Sequence, residues 1–269
     1  MPTRSPATVH IVVPCFYESA RIIAFLPTLA QQLDALGGCT LLLVDDGSSR
    51  VEQAQLRAIV EALRPHAPCL QPLLALPTNL GKGGAVYAGW QQHGGAEVLA
   101  FIDADGSCSA TELVRLIQKA RSTELPLVAL FASRVEMLGH SIMRSPLRHL
   151  VGRIYAALVA VLLGVRVHDS QCGLKLVPRR AYEVIEPYLV VQRFAFDVEL
   201  LCALLDSGCS VIEVPIDWHE VADGKVRLVR DSWRMWRDIL AIRRTRRANP
   251  LPHMQDSEDR TFELTEVPL

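Results

Sequence analysis

Residues 98–106 read Val-Leu-Ala-Phe-Ile-Asp-Ala-Asp-Gly: five apolar residues in a row, then two carboxylates one residue apart on a glycine turn. A short apolar run with no alternation, closed by turn residues, predicts a strand buried on both faces. The same pattern recurs on either side. Strands are predicted at Val9–Val13, Thr40–Val44, Leu70–Leu76, Val98–Ile102 and Leu127–Phe131. Amphipathic or glycine-initiated helices fall between them at Ala20–Leu36, Val51–Leu63, Gly83–Gln92 and Ala110–Ala120. Such alternation implies an α/β fold with a mainly parallel sheet covered by helices on both faces. Ligands in these folds sit beyond the carboxyl ends of the strands. The polar clusters fall there: Pro14–Glu18, Asp45–Ser49, Thr78–Lys82 and Asp103–Ser107 each follow a strand.

The second half of the chain departs from the alternation. Leu147–Leu163 is an apolar helical stretch, and helices are predicted near Arg179–Ile185 and Phe196–Leu205. Val211–Trp218 reads as a strand with Pro215 at an edge or bulge. Ser232–Arg247 reads as a basic helix. The expected division is a loose tail over 1–8, one domain over 9–230, a basic interfacial helix over 231–247 and a mobile acidic tail over 248–269. That last segment has five acidic residues against one arginine.

The chain has 269 residues, half of them apolar, with 28 Lys plus Arg against 29 Asp plus Glu and a formal net charge of −1. Such a composition excludes bulk disorder, and the near-neutral total argues against coating nucleic acid. Seven scattered cysteines form no Cys-x-x-Cys pair, so they predict reduced, buried thiols rather than a zinc ribbon or a redox dithiol. No apolar run reaches the roughly 20 residues needed to cross a bilayer. The N-terminus does not read as a signal peptide.

Asp103 and Asp105 could both face one hard cation, or could simply cap the helix that follows. Asp45-Asp46-Gly47-Ser48-Ser49 is a second acidic turn, able to accept hydrogen bonds from a base or a ribose, or to cap a helix. Asn79-Leu80-Gly81-Lys82-Gly83-Gly84 opens a helix where glycines admit a ligand and Lys82 adds a positive charge. It is neither a P-loop nor a good dinucleotide fingerprint. The eight histidines show no metal-ligand spacing. Asp197 and Glu199 read as capping, or pairing with a nearby arginine, rather than as catalytic.

Taken together, VVPCFYES, LLLVDDGSS, NLGKGGAVYAG and FIDADG, in this order and spacing, resemble glycosyltransferase family 2, which has the GT-A fold. Later strings narrow the resemblance: ASR at 132–134, DSQCGLKL at 169–176, RFAFDVELL at 193–201 and EVPIDWHEVADGKV at 213–226. These are similar to the dolichyl-phosphate β-glucosyltransferase branch, with the polyprenyl-phosphate mannose synthases next. The resemblance spans roughly residues 9–245.

By resemblance, Pro14, Phe16, Glu18, Asp46 and Lys82 would hold uridine and its ribose, with Asp45 supporting. Gly81 and Ala104 would line the same nucleotide-sugar site. Asp103 and Asp105 would carry a divalent metal, Mg²⁺ or Mn²⁺, on the diphosphate. Arg134 and Arg148 would grip the acceptor phosphate, for which a planar, permanently charged fork is suited. Lys225 would reach the diphosphate from a closing loop. The sequence departs from the family at Phe16-Tyr17, where Tyr-Asn is usual, and at Asp223-Gly224, where Gly-Ser is common.

The resemblance implies an inverting, metal-dependent hexosyltransferase moving glucose from UDP-glucose to a polyprenyl phosphate. GDP-mannose is the alternative donor, and a non-catalytic nucleotide-sugar-binding protein is the alternative class. The eukaryotic enzymes usually start with a membrane-spanning helix; its absence here implies a bacterial relative, peripheral on the cytoplasmic membrane face. Trp233, Trp236, Ile239 and Leu240, with Arg234, Arg237, Arg243, Arg244, Arg246 and Arg247, would form a helix attracted to anionic lipid. The alternative is a core helix with a solvated basic face. Homodimerisation is left open by the sequence.

Overall fold

The computed structural model of the protein describes residues 6–122, 127–134, 142–143, 155, 157–165, 167–193, 195–219 and 228–254. The strands are β1 (Val9–Cys15), β2 (Cys39–Asp45), β3 (Leu74–Ala75), β4 (Val98–Ile102), β5 (Val128–Ser133), β6 (Ile142–Met143), β7 (Leu174–Pro178), β8 (Ser210–Pro215) and β9 (Trp218–His219). The helices are α1 (Ser19–Leu36), α2 (Arg50–Leu63), α3 (Lys82–Trp90), α4 (Ala110–Ser122), α5 (Arg179–Ile185), α6 (Phe196–Asp206) and α7 (Leu228–Ala248). Seven strands form one sheet in the order β3-β2-β1-β4-β7-β5-β8, and β6 pairs with β9. Every pair in the large sheet is parallel except those of β7, which runs against both β4 and β5.

Side chains alternate across a strand, so one buried strand feeds two cores. Val9, Ile11 and Val13 of β1 pack with α1, α2 and α4 on one face. Val12 of the same strand packs with Ala85, Val86 and Trp90 of α3 and with α5, α6 and α7 on the other. This two-sided burial is why the strands are continuously apolar. Trp90 is fully buried and satisfies its polar edge by donating Nε1–H to the carbonyl of Ala100 at 2.9 Å.

The structure differs from the sequence expectation at several places. The strand expected over Leu70–Leu76 contracts to Leu74–Ala75, with Leu70 bridging Leu41 in isolation. Pro72 interrupts the run and has no N–H to donate to a ladder. Val211–Trp218 resolves into β8, ending at Pro215 on the sheet edge, and the separate β9. Residues 7 and 8 of the expected loose tail are tied down: Thr8 O accepts from Glu97 N and Val98 N at 3.0 Å, and Ala7 O from Arg121 Nε at 3.0 Å. At the other end, Met254 is buried and donates its N–H to Ser207 O at 2.9 Å, so the segment up to 254 is docked. Residues 255–269 lie outside the described residues.

The basic helix α7 begins four residues before the expected Ser232. Ile239, expected on its lipid-facing side, is instead buried with Ile242 in the sheet's second core. Arg246 also faces the protein, where it forms a two-point pair with Asp206 at 2.6 Å and donates to Leu163 O at 2.7 Å. Arg244 and Arg247 remain exposed and Arg243 half-buried. At this end α7 is therefore a core helix with a basic outer face.

Candidate active site

The parallel register of β1 with β2 sets Pro14 beside Val44 and Cys15 beside Asp45, so the turns after both strands emerge together. Asp46 N donates to Cys15 O at 2.8 Å, and Tyr17 N to Ser48 Oγ at 3.0 Å. Tyr17 has φ of 55°, the one left-handed non-glycine backbone among the described residues. Such strain at a strand end is held by its surroundings and is common where a ligand binds. Phe16 and Tyr17 are 39% and 49% exposed, their rings edge to face at 4.8 Å. Glu18 is buried and its carboxylate accepts from Nε and Nη2 of Arg21, at 2.7 and 2.5 Å.

The two aspartates of the second turn have separate tasks. Asp45 is fully buried, and its Oδ2 accepts from Ser48 N at 2.9 Å and Gln53 Nε2 at 3.0 Å. Asp46 clamps the glycine loop: Oδ1 accepts from Leu80 N at 2.7 Å, and Oδ2 from Gly81 N and Asn79 Nδ2 at 2.9 Å. Burial raises the Asp46 carboxyl above the usual carboxylate range, outweighing the two backbone N–H groups that favour its charged form. Asp46 thus fixes the backbone that launches Lys82. Gly81, with φ of 96°, abuts the backbone of Gln192 and Arg193, so a side chain there would meet both strain and a clash.

Lys82 opens α3 and places Nζ 2.7 Å from Asp103 Oδ1 at the end of β4. Burial alone would lower the Lys82 ammonium; the charges of Asp103, Asp197 and Asp105 outweigh it and raise it. Asp105, which accepts Ser107 N at 2.9 Å, is pushed up by burial and then by the charge of Asp103. Ala104, between the two, is buried. Two crowded carboxylates with no histidine or thiolate partner are a hard-oxygen donor set. Among the described residues no group of three or more His, Cys, Asp or Glu could hold a metal by itself. The pair therefore fits a divalent cation completed by phosphate oxygens, whose charge would relieve the repulsion that raises Asp105.

Arg134, at the end of β5, is locked by Asp169. Its Nε lies 2.6 Å from Oδ2 and its Nη2 2.8 Å from Oδ1, and its backbone N–H donates to Oδ2 at 3.0 Å. Asp169 is held in turn by Glu213, which accepts its N–H at 2.8 Å. Trp218 lies 5.4 Å from the guanidinium carbon. The pairing uses one edge of the guanidinium and leaves Nη1 outside it. Phe101 of β4 and Phe131 of β5 both pair with Lys175 of β7, so the ends of the two strands are level and Arg134 emerges at the same sheet edge as Asp103. Arg148 and Lys225, the other expected phosphate contacts, lie outside the described residues.

Several participants carried no assigned role in the sequence. Asp169, Gly173 and Lys175 all sit in the DSQCGLKL string, where nothing local marks Asp169 as the partner of Arg134 or Gly173 as a neighbour of Asp103. Asp197 pairs with Lys175, not with an arginine. Glu199 accepts from Val190 N and Val191 N at 3.0 and 2.8 Å and so caps the preceding loop. Cys172 is fully buried and its thiol is pushed up to about 12, chiefly by burial, which makes it inert.

The sequence model of glycosyl transferase family 2 matches residues 10–185. The dolichyl-phosphate β-glucosyltransferase of Saccharomyces cerevisiae is 33% identical over 248 residues, covering 87% of this chain and 73% of the yeast protein. Its Homo sapiens counterpart is 28% identical over 244 residues, covering 87% and 74%. Among solved structures, glucosyl-3-phosphoglycerate synthase of Mycobacterium tuberculosis with Mn²⁺, UDP and phosphoglyceric acid superposes with a TM-score of 0.64. It is 16% identical and covers 88% of this chain and 77% of that one. A Pyrobaculum calidifontis mannosyltransferase with GDP-mannose and Mn²⁺ gives 0.58 at 16% identity, covering 87% and 61%. These structures share the fold, and the sequence matches carry the family: the chain is a glycosyltransferase belonging to glycosyltransferase family 2.

Proposed function

We propose that the protein transfers glucose from UDP-glucose to a polyprenyl phosphate, with inversion, using Mg²⁺ or Mn²⁺. The observation that carries this is the convergence at one sheet edge of Asp103, Asp105, Lys82 and the Asp169-locked Arg134. The sequence similarity to dolichyl-phosphate β-glucosyltransferases supports the sugar and the lipid phosphate. Phe16, Tyr17 and the Asp45–Ser48 turn would border the nucleoside, and the Gly81–Lys82 helix start would face the diphosphate. Asp103 and Asp105 would hold the cation, which when bound neutralises charge on the departing diphosphate. Lys82 adds a fixed positive charge beside the same group, an electrostatic contribution needing no rearrangement.

Arg134 would present its Nη1 side to the acceptor phosphate, with Arg148 and Lys225 proposed as further phosphate contacts. A phosphate monoester is anionic near neutral pH, so its oxygen can attack the anomeric carbon without a protein base. The new bond joins that oxygen to the anomeric carbon as the bond to UDP breaks, and attack from the opposite face inverts the centre. No helix among the described residues is long and apolar enough to cross a membrane. The exposed Arg244 and Arg247, with Arg243, would draw the protein to an anionic bilayer surface at the cytoplasmic face.

The test is transfer of radiolabelled sugar into organic-extractable lipid from UDP-glucose, GDP-mannose or UDP-N-acetylglucosamine, with undecaprenyl or dolichyl phosphate. Glucose labelling abolished by EDTA is the expected result. Labelling from another donor corrects the sugar. Transfer only to a water-soluble acceptor such as 3-phosphoglycerate overturns the lipid assignment.

A further inference from the structure

Behind the donor site lies a buried ion pair with no part in the chemistry above. Lys175 on β7 is fully buried; its Nζ lies 2.5 Å from Asp197 Oδ1 and donates to Cys172 O at 2.8 Å. Desolvating two charges can cancel their attraction, so a buried pair is weak evidence for stability, and apolar residues of similar volume often do as well. What the two ends hold is informative. Lys175 fixes the carbonyl of Cys172, and the next residue, Gly173, accepts the backbone N–H of Asp103 at 2.9 Å. At the other end Asp197 follows Phe196, the first residue of α6, whose ring lies 5.9 Å from Lys82 Nζ and whose Cβ packs on Gly83.

The ring of Phe101 is shared by both ammonium groups, at 5.3 Å from Lys82 Nζ and 5.2 Å from Lys175 Nζ. Signs alternate along the row Asp103, Lys82, Asp197, Lys175, and backbone contacts at Cys172 and Gly173 bring the row back to Asp103.

We propose that the Lys175–Asp197 pair is a positioning device for Asp103, holding it through the Cys172–Gly173 turn on one side and through Lys82 on the other. The carboxylate then meets a cation–diphosphate in a single orientation. Lys175 and Asp197 touch neither ligand and act through their neighbours, and the proposal rests on the metal and nucleotide-sugar reading of the donor site.

The test compares full-length wild-type protein with Lys175→Met/Asp197→Leu, which removes both charges at similar volume, and with Asp197→Asn, which keeps the shape. Mn²⁺ binding in the presence of UDP is followed by the loss of the free-ion electron paramagnetic resonance signal, beside thermal melting. The expected result is a double variant that melts cooperatively yet binds Mn²⁺ with UDP roughly tenfold or more weaker. Its kcat should fall while its KM for the lipid acceptor holds. Asp197→Asn should show the same weakening, and Asp197→Glu should recover part of it. Wild-type Mn²⁺ affinity in either folded variant overturns the positioning role. Wild-type protein that binds no Mn²⁺ with UDP overturns the donor-site reading itself, and the positioning role with it.

Discussion

Gly173 leaves empty the space that the Asp103 carboxylate fills: a β-carbon at 173 would overlap Oδ2 and Cγ of Asp103. The same two residues are joined through the backbone, Asp103 N donating to Gly173 O at 2.9 Å. Gly173 has no left-handed φ, so alanine is acceptable to its backbone and the nearest obstacle is the Asp103 side chain. Gly173→Ala should therefore displace the carboxylate and weaken Mn²⁺ binding with UDP by roughly 10–100-fold, the usual effect of disturbing a ligand's support. Calorimetric titration checks this; an unchanged Kd would remove Asp103 from the metal site.

Asp105 has its carboxyl raised by burial and by its neighbour's charge, and the proposed cation would offset that charge. Asp105→Ala should abolish transfer while the protein melts as before, measured as lipid-extractable label at increasing Mn²⁺. Near-normal turnover at saturating Mn²⁺ would sink the metal assignment.

The grip of Asp169 on Arg134 predicts an acceptor phenotype. Asp169→Asn keeps the shape and removes the charge that orients the guanidinium. Charge-assisted hydrogen bonds contribute about 1.5–3 kcal/mol, so KM for polyprenyl phosphate should rise roughly 10–100-fold. Affinity for UDP should hold. Steady-state kinetics with both substrates varied separates the two, and a change confined to the donor would contradict the assignment.

His10 is buried between β1 and α3, its Nε2 3.1 Å from Gly89 O and its Nδ1 2.8 Å from Thr40 Oγ1. A carbonyl only accepts, so Nε2 carries the proton and Nδ1 takes the threonine hydroxyl. Burial, more than any charge, lowers its pKa below the ordinary 6.5. The unfolded chain therefore binds a proton near 6.5 while the folded chain does not, and stability contributed here is lost as pH falls below about 6.5. His10→Gln should flatten the difference in urea stability between pH 7.5 and 5.5 relative to wild type; parallel pH curves would refute the buried neutral ring.

Arg246 anchors α7 through Asp206 and Leu163 O, far from the chemistry. Arg246→Ala should cost about 1–2 kcal/mol of stability, allowing for partial solvent exposure of the pair, with little change in turnover. A large loss of activity in well-folded protein would show that α7 does more than close the core.

The sequence by itself determined the sheet and its functional edge. Continuous apolar runs such as Val98–Ile102, short and bounded by turn residues, read as strands covered on both faces, and the turns after parallel strands open at one edge. Asp103, Asp105 and Lys82 were legible for that reason, each lying within a few residues of a strand end or helix start. Tertiary structure alone decided the partnerships: Asp169 with Arg134, Lys175 with Asp197, Gly173 with Asp103 and Arg246 with Asp206. These residues lie 22 to 70 positions apart in the chain. Periodicity reports which face of an element is buried and says nothing about which neighbour it meets. The antiparallel turn of β7 between β4 and β5 brings the DSQCGLKL segment against the strand ends, and that insertion has no signature in the local pattern because an apolar strand reads alike in either direction.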